Sequence, residues 1–246
     1  MKASQELSGD YSDKSILDQV DEAIQKVRRG EALYEQDGVC FYQPNHNWEL
    51  LSAMFYARTT MSLNSMYVLD FGGGLGSTYF RYKGLWDELG INWHVVEQKH
   101  FVERGRENVP EVRFHYTIDE AMNSEDFSSK NNILLLSSVL MYLDKPYEMF
   151  EYMLSKDFEY IIIDESAFFI DEDTQDRIML QHVPPSIYSA VYPLHVFGLS
   201  KFRDFIMKSG YEIFWEWTYR GGFIPIKEGL RLKNTIDKGF FLRKKK

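Results

Sequence analysis

Two stretches near the start of the chain carry apolar side chains at the spacing of one helix face. In the first, apolar residues recur every three or four positions from Ile16 to Val27, and Gly30 follows where a helix C-cap is expected. The second predicted helix covers Trp48 to Thr59, and Asp37-Gly38 between the two is a turn signal. We therefore expect residues 1–60 to form an N-terminal helical cap, followed by a main domain over residues 61–246.

From Tyr67 onward the pattern changes to apolar runs of strand length that alternate with amphipathic stretches of helix length. Such alternation predicts right-handed βαβ units and a parallel sheet. Near the C-terminus two further runs lack a clear helix between them, which indicates a closing pair of strands. The predicted strands are 67–71, 92–96, 112–116, 133–137, 160–164, 211–218 and 239–243.

One long stretch, residues 166–199, shows neither the apolar spacing of a helix nor that of a strand. It contains Pro184, Pro185 and Pro193. It follows the fifth predicted strand, at the carboxyl edge where open α/β sheets bind ligands. A loop of this length inside a compact domain is usually functional or disordered, and its many aromatic residues argue against disorder. We therefore predict an irregular insert that binds substrate.

Charge and composition exclude several classes of protein. The formal net charge of −9 disfavours a nucleic-acid partner, because phosphate recognition needs clustered Lys and Arg. A single cysteine, Cys40, excludes an intrachain disulfide, and the polar N-terminus lacks the apolar segment of a secretory signal. The longest nearly apolar stretch, Ile133 to Leu143, is about half of the ~20 residues that a membrane helix needs. We expect a cytoplasmic protein without a membrane span.

The strongest chemical signal is a glycine-rich bend between a predicted strand and the following helix. Residues 68–76 read VLDFGGGLG, a D-x-G-x-G-x-G motif from Asp70 through Gly72 and Gly74 to Gly76. Glycines let the backbone turn sharply and approach a ligand, and amides at a helix start favour an anionic group. Glu97 ends the next predicted strand, where a carboxylate accepts hydrogen bonds from both ribose hydroxyls of a nucleoside cofactor.

A nicotinamide or flavin dinucleotide is the rival ligand, because Glu97 would serve its ribose equally well. Reading G-x-G-x-x-G from Gly72 places Ser77 where Gly or Ala is needed for close helix–strand packing. Asp70 would also lie near a pyrophosphate, whereas it would accept, directly or through water, from the ammonium group of S-adenosylmethionine. Both details favour S-adenosylmethionine, and the absence of G-K-[ST] after the glycines excludes a phosphate loop.

With these residues the sequence resembles class I S-adenosylmethionine-dependent methyltransferases. Among them it resembles a family of bacterial methyltransferases associated with surface-polysaccharide biosynthesis. The resemblance implies a Rossmann-like α/β fold with a seven-stranded, mostly parallel sheet, its last strand antiparallel, and helices on both faces. The stretches that carry it are VLDFGGGLGS (68–77), VVEQKHFV (95–102), LLSSVLMYL (135–143), QHVPPSIY (181–188) and GFFL (239–242), together with Asp164.

The resemblance also implies cofactor contacts beyond the motif. Phe71 and the glycine bend would line the methionine end of the cofactor. Gln98 and Phe101 would flank the adenosine, with the Phe101 ring either on the adenine or in the core. The remaining implied contacts are Thr117 and Ile118 to the adenine, and Ser137 and Ser138 to the sulfonium and the methionine backbone.

Methyl transfer is an in-line displacement that a protein accelerates by alignment and, for a hydroxyl acceptor, by a general base. His182 is the first candidate base, because it lies in the predicted insert beside rigid prolines. Asp164, at the end of the fifth strand, is a second candidate base or an orienting partner for His182. The candidates for contacts to the acceptor are Tyr142, Gln181, Tyr188, His195 and Arg220; at the position of Tyr142 many class members have His.

We expect no metal ion, since the acidic residues between 171 and 176 fit a solvated helix start. The predicted acceptor is a small molecule or glycan precursor that is O-methylated. Two other functions remain open, a catalytically inactive cofactor-binding scaffold and a dinucleotide-dependent oxidoreductase. The N-terminal segment, residues 1–60, is expected to form either a lid or a homodimer contact.

Overall fold

The computed structural model of the chain describes residues 14–61, 65–128, 130–171, 174–183, 190–219, 224–228 and 231–245. These residues divide into two compact units. The first unit contains the described residues up to Asn132 together with the short stretch around His182, and the second contains most of the remainder.

The first unit begins with the predicted helical segment. Helix α1 (Lys14–Arg28) buries an apolar stripe that includes Ile16, Val20 and Ile24. Strands β1 (Tyr34–Gln36) and β2 (Val39–Phe41) form an antiparallel hairpin, and helix α2 (Trp48–Thr60) follows with Asn47 as its N-cap. The turn residues Asp37 and Gly38 have φ values of 52° and 75°, as a tight two-residue hairpin turn requires.

The rest of the first unit alternates strands and helices as predicted. Strands β3 (Met66–Phe71), β4 (Ile91–Val96) and β5 (Arg113–His115) are parallel, in the order β5-β4-β3. Helices α3 (Ser77–Arg81) and α4 (Lys83–Glu88) follow β3, so the helix expected there is interrupted at Tyr82. Helices α5 (Lys99–Asn108) and α6 (Ile118–Met122) follow β4 and β5.

Four further strands lie mostly in the second unit. They are β6 (Asn132–Ser137), β7 (Tyr160–Phe169), β10 (Tyr211–Thr218) and β12 (Arg231–Lys244), in the order β6-β7-β12-β10. Strands β6 and β7 are parallel, whereas β12 is antiparallel to both β7 and β10. Strand β11 (Ile224–Glu228) pairs antiparallel with the first residues of β12. Helices α7 (Pro146–Leu154) and α8 (Leu199–Met207) pack through an aromatic core of Phe150, Phe168, Phe197, Phe202 and Phe240.

The expected fold is confirmed: a Rossmann-like α/β fold with a seven-stranded, mostly parallel sheet and an antiparallel last strand. For the described residues between 166 and 199, the prediction of an irregular stretch is wrong. Strand β7 continues to Phe169, and β8 (Arg177–Val183) and β9 (Ala190–Val196) follow. The stretch RIMLQHV alternates side-chain character only loosely, so its sequence pattern gives little sign of a strand.

The division into residues 1–60 and 61–246 stays a prediction. No helix in the described part of the chain is both long enough and apolar enough to cross a membrane.

Candidate functional site

The glycine bend of the first unit has the backbone that its sequence requires. Gly72, Gly74 and Gly76 have φ values of 75°, 58° and 93°, a region that L side chains rarely adopt. The Gly72 amide donates to the carbonyl of Val96 on β4 at 2.9 Å, and the Gly76 amide donates to the Gly73 carbonyl at 2.9 Å. The bend is therefore tied both to the neighbouring strand and to itself.

Asp70 lies beneath this bend and is 1% exposed. One of its carboxylate oxygens accepts from the indole nitrogen of Trp93 at 3.1 Å. A Cβ atom on Gly73 would lie only 2.4 Å from that same oxygen, so the backbone approaches the carboxylate as closely as glycine alone permits. Asp70 thus packs against the underside of the bend, and its proposed bond to the cofactor's ammonium group stays a prediction.

Glu97 closes the bend from the end of β4. Its carboxylate accepts from the Gln98 amide at 2.5 Å and also from the Gly74 amide. Burial raises the pKa of Glu97 to about 7, against the lowering effect of these two amides. A partly buried carboxylate that contacts the bend is the central feature of this site, and its contact to ribose stays a prediction.

The other predicted cofactor residues of this unit have varied surroundings. Phe71 is partly buried, Gln98 is exposed, and the Phe101 ring is fully buried. Thr117 caps helix α6 by accepting from the Glu120 amide at 3.0 Å, and Ile118 is 2% exposed. Their contacts to adenosine stay predictions.

The second unit brings together Ser137, a predicted cofactor contact, and Asp164, a predicted base or orienting partner. Ser137, at the end of β6, donates to Asp164 on β7 at 3.3 Å. Asp164 is 1% exposed and also accepts from the hydroxyl of Tyr219. Sequence reasoning missed Tyr219, because it lies 55 residues from Asp164 and no motif marks it.

A β-bulge in β7 shapes the surroundings of Asp164. Ser166 pairs with Lys238 and Ile163 with Phe240, so Asp164 and Glu165 together lie opposite Gly239. Ser138 and Glu165 both have positive φ values, 50° and 49°, and the Ser138 hydroxyl donates to the Glu165 carboxylate at 3.0 Å. The bulge therefore places two adjacent carboxylates beside two serine hydroxyls.

Asp237 adds a third carboxyl group to this part of the second unit. Its carbonyl accepts from the Tyr219 amide at 2.9 Å, next to the Tyr219–Asp164 contact. Burial, with the charge of Glu165, raises the pKa of Asp237 to about 6. No motif in the sequence marks Asp237.

The predicted acceptor residues are partly brought together. The Tyr142 hydroxyl donates to the Gln181 side chain at 2.8 Å. His182 is exposed, and His195 is partly buried against Phe197, where burial lowers its pKa. Tyr188 and Arg220 lie outside the described residues.

No cluster of three or more metal-ligating side chains occurs within the described ranges.

The chain matches no family model and no curated protein. It does match solved structures. The N-terminal domain of EvdMO1, solved in the presence of S-adenosylhomocysteine and D-fucose, superposes with a TM-score of 0.53 and 12% identity over 90% of this chain and 97% of that one. The glycopeptide N-methyltransferase MtfA, solved with S-adenosylmethionine, superposes with a TM-score of 0.51 and 11% identity over 78% of this chain and 92% of that one. At such identities the likeness establishes the fold alone.

Proposed function

We propose that the chain is an S-adenosylmethionine-dependent methyltransferase. The observation that carries this proposal is the closure of the glycine bend by Glu97, whose carboxylate accepts from the Gly74 amide. The three positive-φ glycines shape a bend that would receive the amino-acid end of the cofactor, and Glu97 would accept from the two ribose hydroxyls. EvdMO1 and MtfA, which share the fold, were solved with S-adenosylhomocysteine and S-adenosylmethionine.

The position of Asp70 favours this cofactor over a dinucleotide. Its carboxylate lies directly under Gly73, so a group bound on the bend faces a buried negative charge. A pyrophosphate would be repelled there, whereas S-adenosylmethionine carries an ammonium and a sulfonium group.

We infer that the acceptor is a hydroxyl group of a sugar or glycan precursor. Support comes from the polar side chains of the second unit, in particular the Tyr142–Gln181 pair and the Asp164–Tyr219 pair, which are hydrogen-bonding groups of the kind that bind sugar hydroxyls. EvdMO1 was solved with D-fucose, which is a sugar.

In the proposed reaction the acceptor oxygen attacks the methyl carbon and forms a new C–O bond. The carbon–sulfur bond breaks, its electron pair stays on sulfur, and S-adenosylhomocysteine is released. The hydroxyl proton passes to a general base, for which we propose His182, since it is an exposed imidazole. We assign Asp164 the role of holding the hydroxyls of Tyr219 and Ser137 toward the acceptor, because the carboxylate itself is almost completely buried.

The cofactor assignment is tested by calorimetry with S-adenosylmethionine, S-adenosylhomocysteine and a reduced nicotinamide dinucleotide. We expect binding of the first two ligands and none of the third. Tight dinucleotide binding without binding of S-adenosylhomocysteine would instead favour an oxidoreductase.

Turnover is tested with cofactor labelled on the methyl group and a panel of sugars and glycan precursors. His182→Ala should lower the rate about 100-fold, the lower end of what general-base catalysis contributes. His46→Ala, which also removes an exposed imidazole, is the matched control and should retain full activity. Cofactor binding without turnover on the whole panel would favour the scaffold function, and a fully active His182→Ala variant would exclude His182 as the base.

We place the enzyme in the cytoplasm, acting on a precursor in surface-polysaccharide biosynthesis rather than on nucleic acid, in keeping with its net charge of −9. A homodimer through the N-terminal segment stays an alternative to a lid, and sedimentation of the purified protein distinguishes the two.

A further inference from the structure

Glu35 on β1 is a buried carboxyl group that the proposed reaction does not use. It is 3% exposed, although it lies in a short hairpin near the start of the chain. One of its oxygens accepts from the Ser77 hydroxyl, and the other accepts from the Gly38 amide at 2.9 Å. The two oxygens therefore join the hairpin turn to the first residue of helix α3.

Ser77 is continuous with the glycine bend. It follows Gly76 directly, and its hydroxyl oxygen lies 3.9 Å from the place that a Cβ atom on Gly74 would occupy. A bend of consecutive glycines has large conformational freedom in the absence of external contacts. Contacts that hold it from outside include those to Val96, to Glu97 and, through Ser77, to Glu35.

The hairpin that carries Glu35 is itself fixed on α3. The guanidinium of Arg81 lies 4.2 Å from the centre of the Tyr34 ring, which in turn stacks on Phe41 at 4.7 Å. This arrangement places Glu35 against Ser77 without relying on the Glu35–Ser77 bond alone. Removal of the carboxyl group should therefore leave the hairpin in place.

We propose that Glu35 is a positioning residue for the cofactor: it holds Ser77 and so fixes the glycine bend in the shape that receives the amino-acid end of S-adenosylmethionine. This inference rests on the proposed function. It adds a role for the N-terminal segment, which would take part in cofactor binding.

The charge state of Glu35 gives the proposal a second readout. Burial raises the pKa of Glu35 to about 7, and the negative charge of nearby Asp37 acts in the same direction. The other ionisable groups around it are Cys40, which pairs with it on β2, Lys26 on α1, which faces Cys40, and Arg81 on α3.

The experiment compares two ligands that share the nucleoside but differ in the amino-acid end. Calorimetry with S-adenosylhomocysteine and with adenosine separates a local effect on the bend from a general loss of folding, which would weaken both. For Glu35→Ala and for Ser77→Ala we expect about tenfold weaker binding of S-adenosylhomocysteine, the change that corresponds to about 1.4 kcal/mol. Adenosine affinity should stay within about twofold.

Two further variants complete the test. Glu31→Gln, an exposed carboxylate in the same segment that pairs with Arg29, is the matched control and should bind both ligands as the wild type does. Glu35→Gln resembles the protonated acid, so its ratio of the two affinities should match the wild type at pH 6 and depart from it at pH 8.

The outcomes are distinct. If Glu35→Ala and Ser77→Ala keep the wild-type ratio of the two affinities at both pH values, Glu35 does not position the bend. If the wild-type protein itself binds no S-adenosylhomocysteine, the proposed function fails first, and this inference fails with it.

Discussion

The glycine bend of the first unit differs in its assembly from a polar cluster in the second unit. That cluster, the Asp164 cluster, consists of Asp164 and the hydroxyl groups of Ser137 and Tyr219 that donate to it. The bend is built from consecutive residues, Asp70 to Gly76, closed by Glu97 on the adjacent strand. The cluster gathers side chains from β6, from β7 and from the residue after β10, across as many as 55 positions of sequence. The first arrangement is a property of local backbone geometry, and the second is a property of strand pairing.

This difference has a consequence for function. A bend whose glycines require φ values between 58° and 93° tolerates almost no substitution, and this suits a cofactor that is the same for every acceptor. Ser137, Asp164 and Tyr219 are not among the positive-φ residues, so substitution of these side chains places no such demand on the backbone. We therefore expect cofactor binding to depend on the bend and acceptor turnover to depend on the cluster.

The largest effect is expected for Glu97→Ala. Loss of two charge-assisted hydrogen bonds to the ribose, about 1.5–3 kcal/mol each before compensation, should weaken S-adenosylhomocysteine binding about 100-fold in calorimetry. Glu103→Ala, an exposed glutamate on α5, is the control and should leave the affinity unchanged. Unaltered affinity in Glu97→Ala would contradict the ribose assignment.

Asp164→Asn should separate the two regions. The variant keeps the shape but loses the charge that accepts from Tyr219, so we expect about 30-fold slower methyl transfer, the equivalent of about 2 kcal/mol in the barrier. Affinity for S-adenosylhomocysteine should stay within about twofold. The rate comes from labelled-methyl assays, and a parallel loss of cofactor affinity would show that the two regions are not functionally distinct.

Gly73→Ala tests how closely the bend is packed. The new Cβ would lie 2.4 Å from the Asp70 carboxylate, so the bend must shift, and we expect about tenfold weaker cofactor binding and roughly 1–3 kcal/mol lower free energy of unfolding. Gly84→Ala in helix α4 has no atom within 4 Å of its new Cβ and should be neutral or slightly stabilising. Urea unfolding and calorimetry on both variants measure the difference.

The smallest effect concerns pH. Glu97 should accept from the ribose best when ionised, so S-adenosylhomocysteine should bind about fivefold more tightly at pH 8 than at pH 6, with the change centred near the pKa of about 7. In the protein without ligand, the raised pKa of Glu97 makes the fold less stable as the pH rises. Its contribution to stability is full below the ordinary pKa of 4.5 and is lost as the pH rises to about 7.

Glu97→Gln should remove the contribution of Glu97 to the pH dependence of S-adenosylhomocysteine binding and to the pH dependence of stability. The free energy of unfolding of this variant should rise relative to the wild type between pH 4.5 and 7. A wild-type affinity that stays constant between pH 6 and 8 would show that Glu97 does not change its charge on binding.

The sequence predicts features that depend on local backbone geometry better than features that depend on strand pairing. The bend and Glu97 were predictable, because glycine spacing and a strand-terminal acid are local signals. Tyr219 and Glu35 were not, because their partners lie 55 and 42 residues away and become adjacent only after the strands and the hairpin have packed. The strand character of Arg177–Val183 was missed for a related reason, since a short strand without clean alternation leaves little periodic signal.

The indole of Trp93 is a fluorescent group next to the glycine bend. It is 3% exposed, bonded to Asp70 beneath the bend, and stacked on Trp86 with ring centres 5.7 Å apart. Fluorescence from such a buried pair of indoles reports on the electric field of the adjacent carboxylate. We therefore expect the fluorescence of this pair to change when S-adenosylmethionine binds on the glycine bend, and stopped-flow measurements would follow that change without any label.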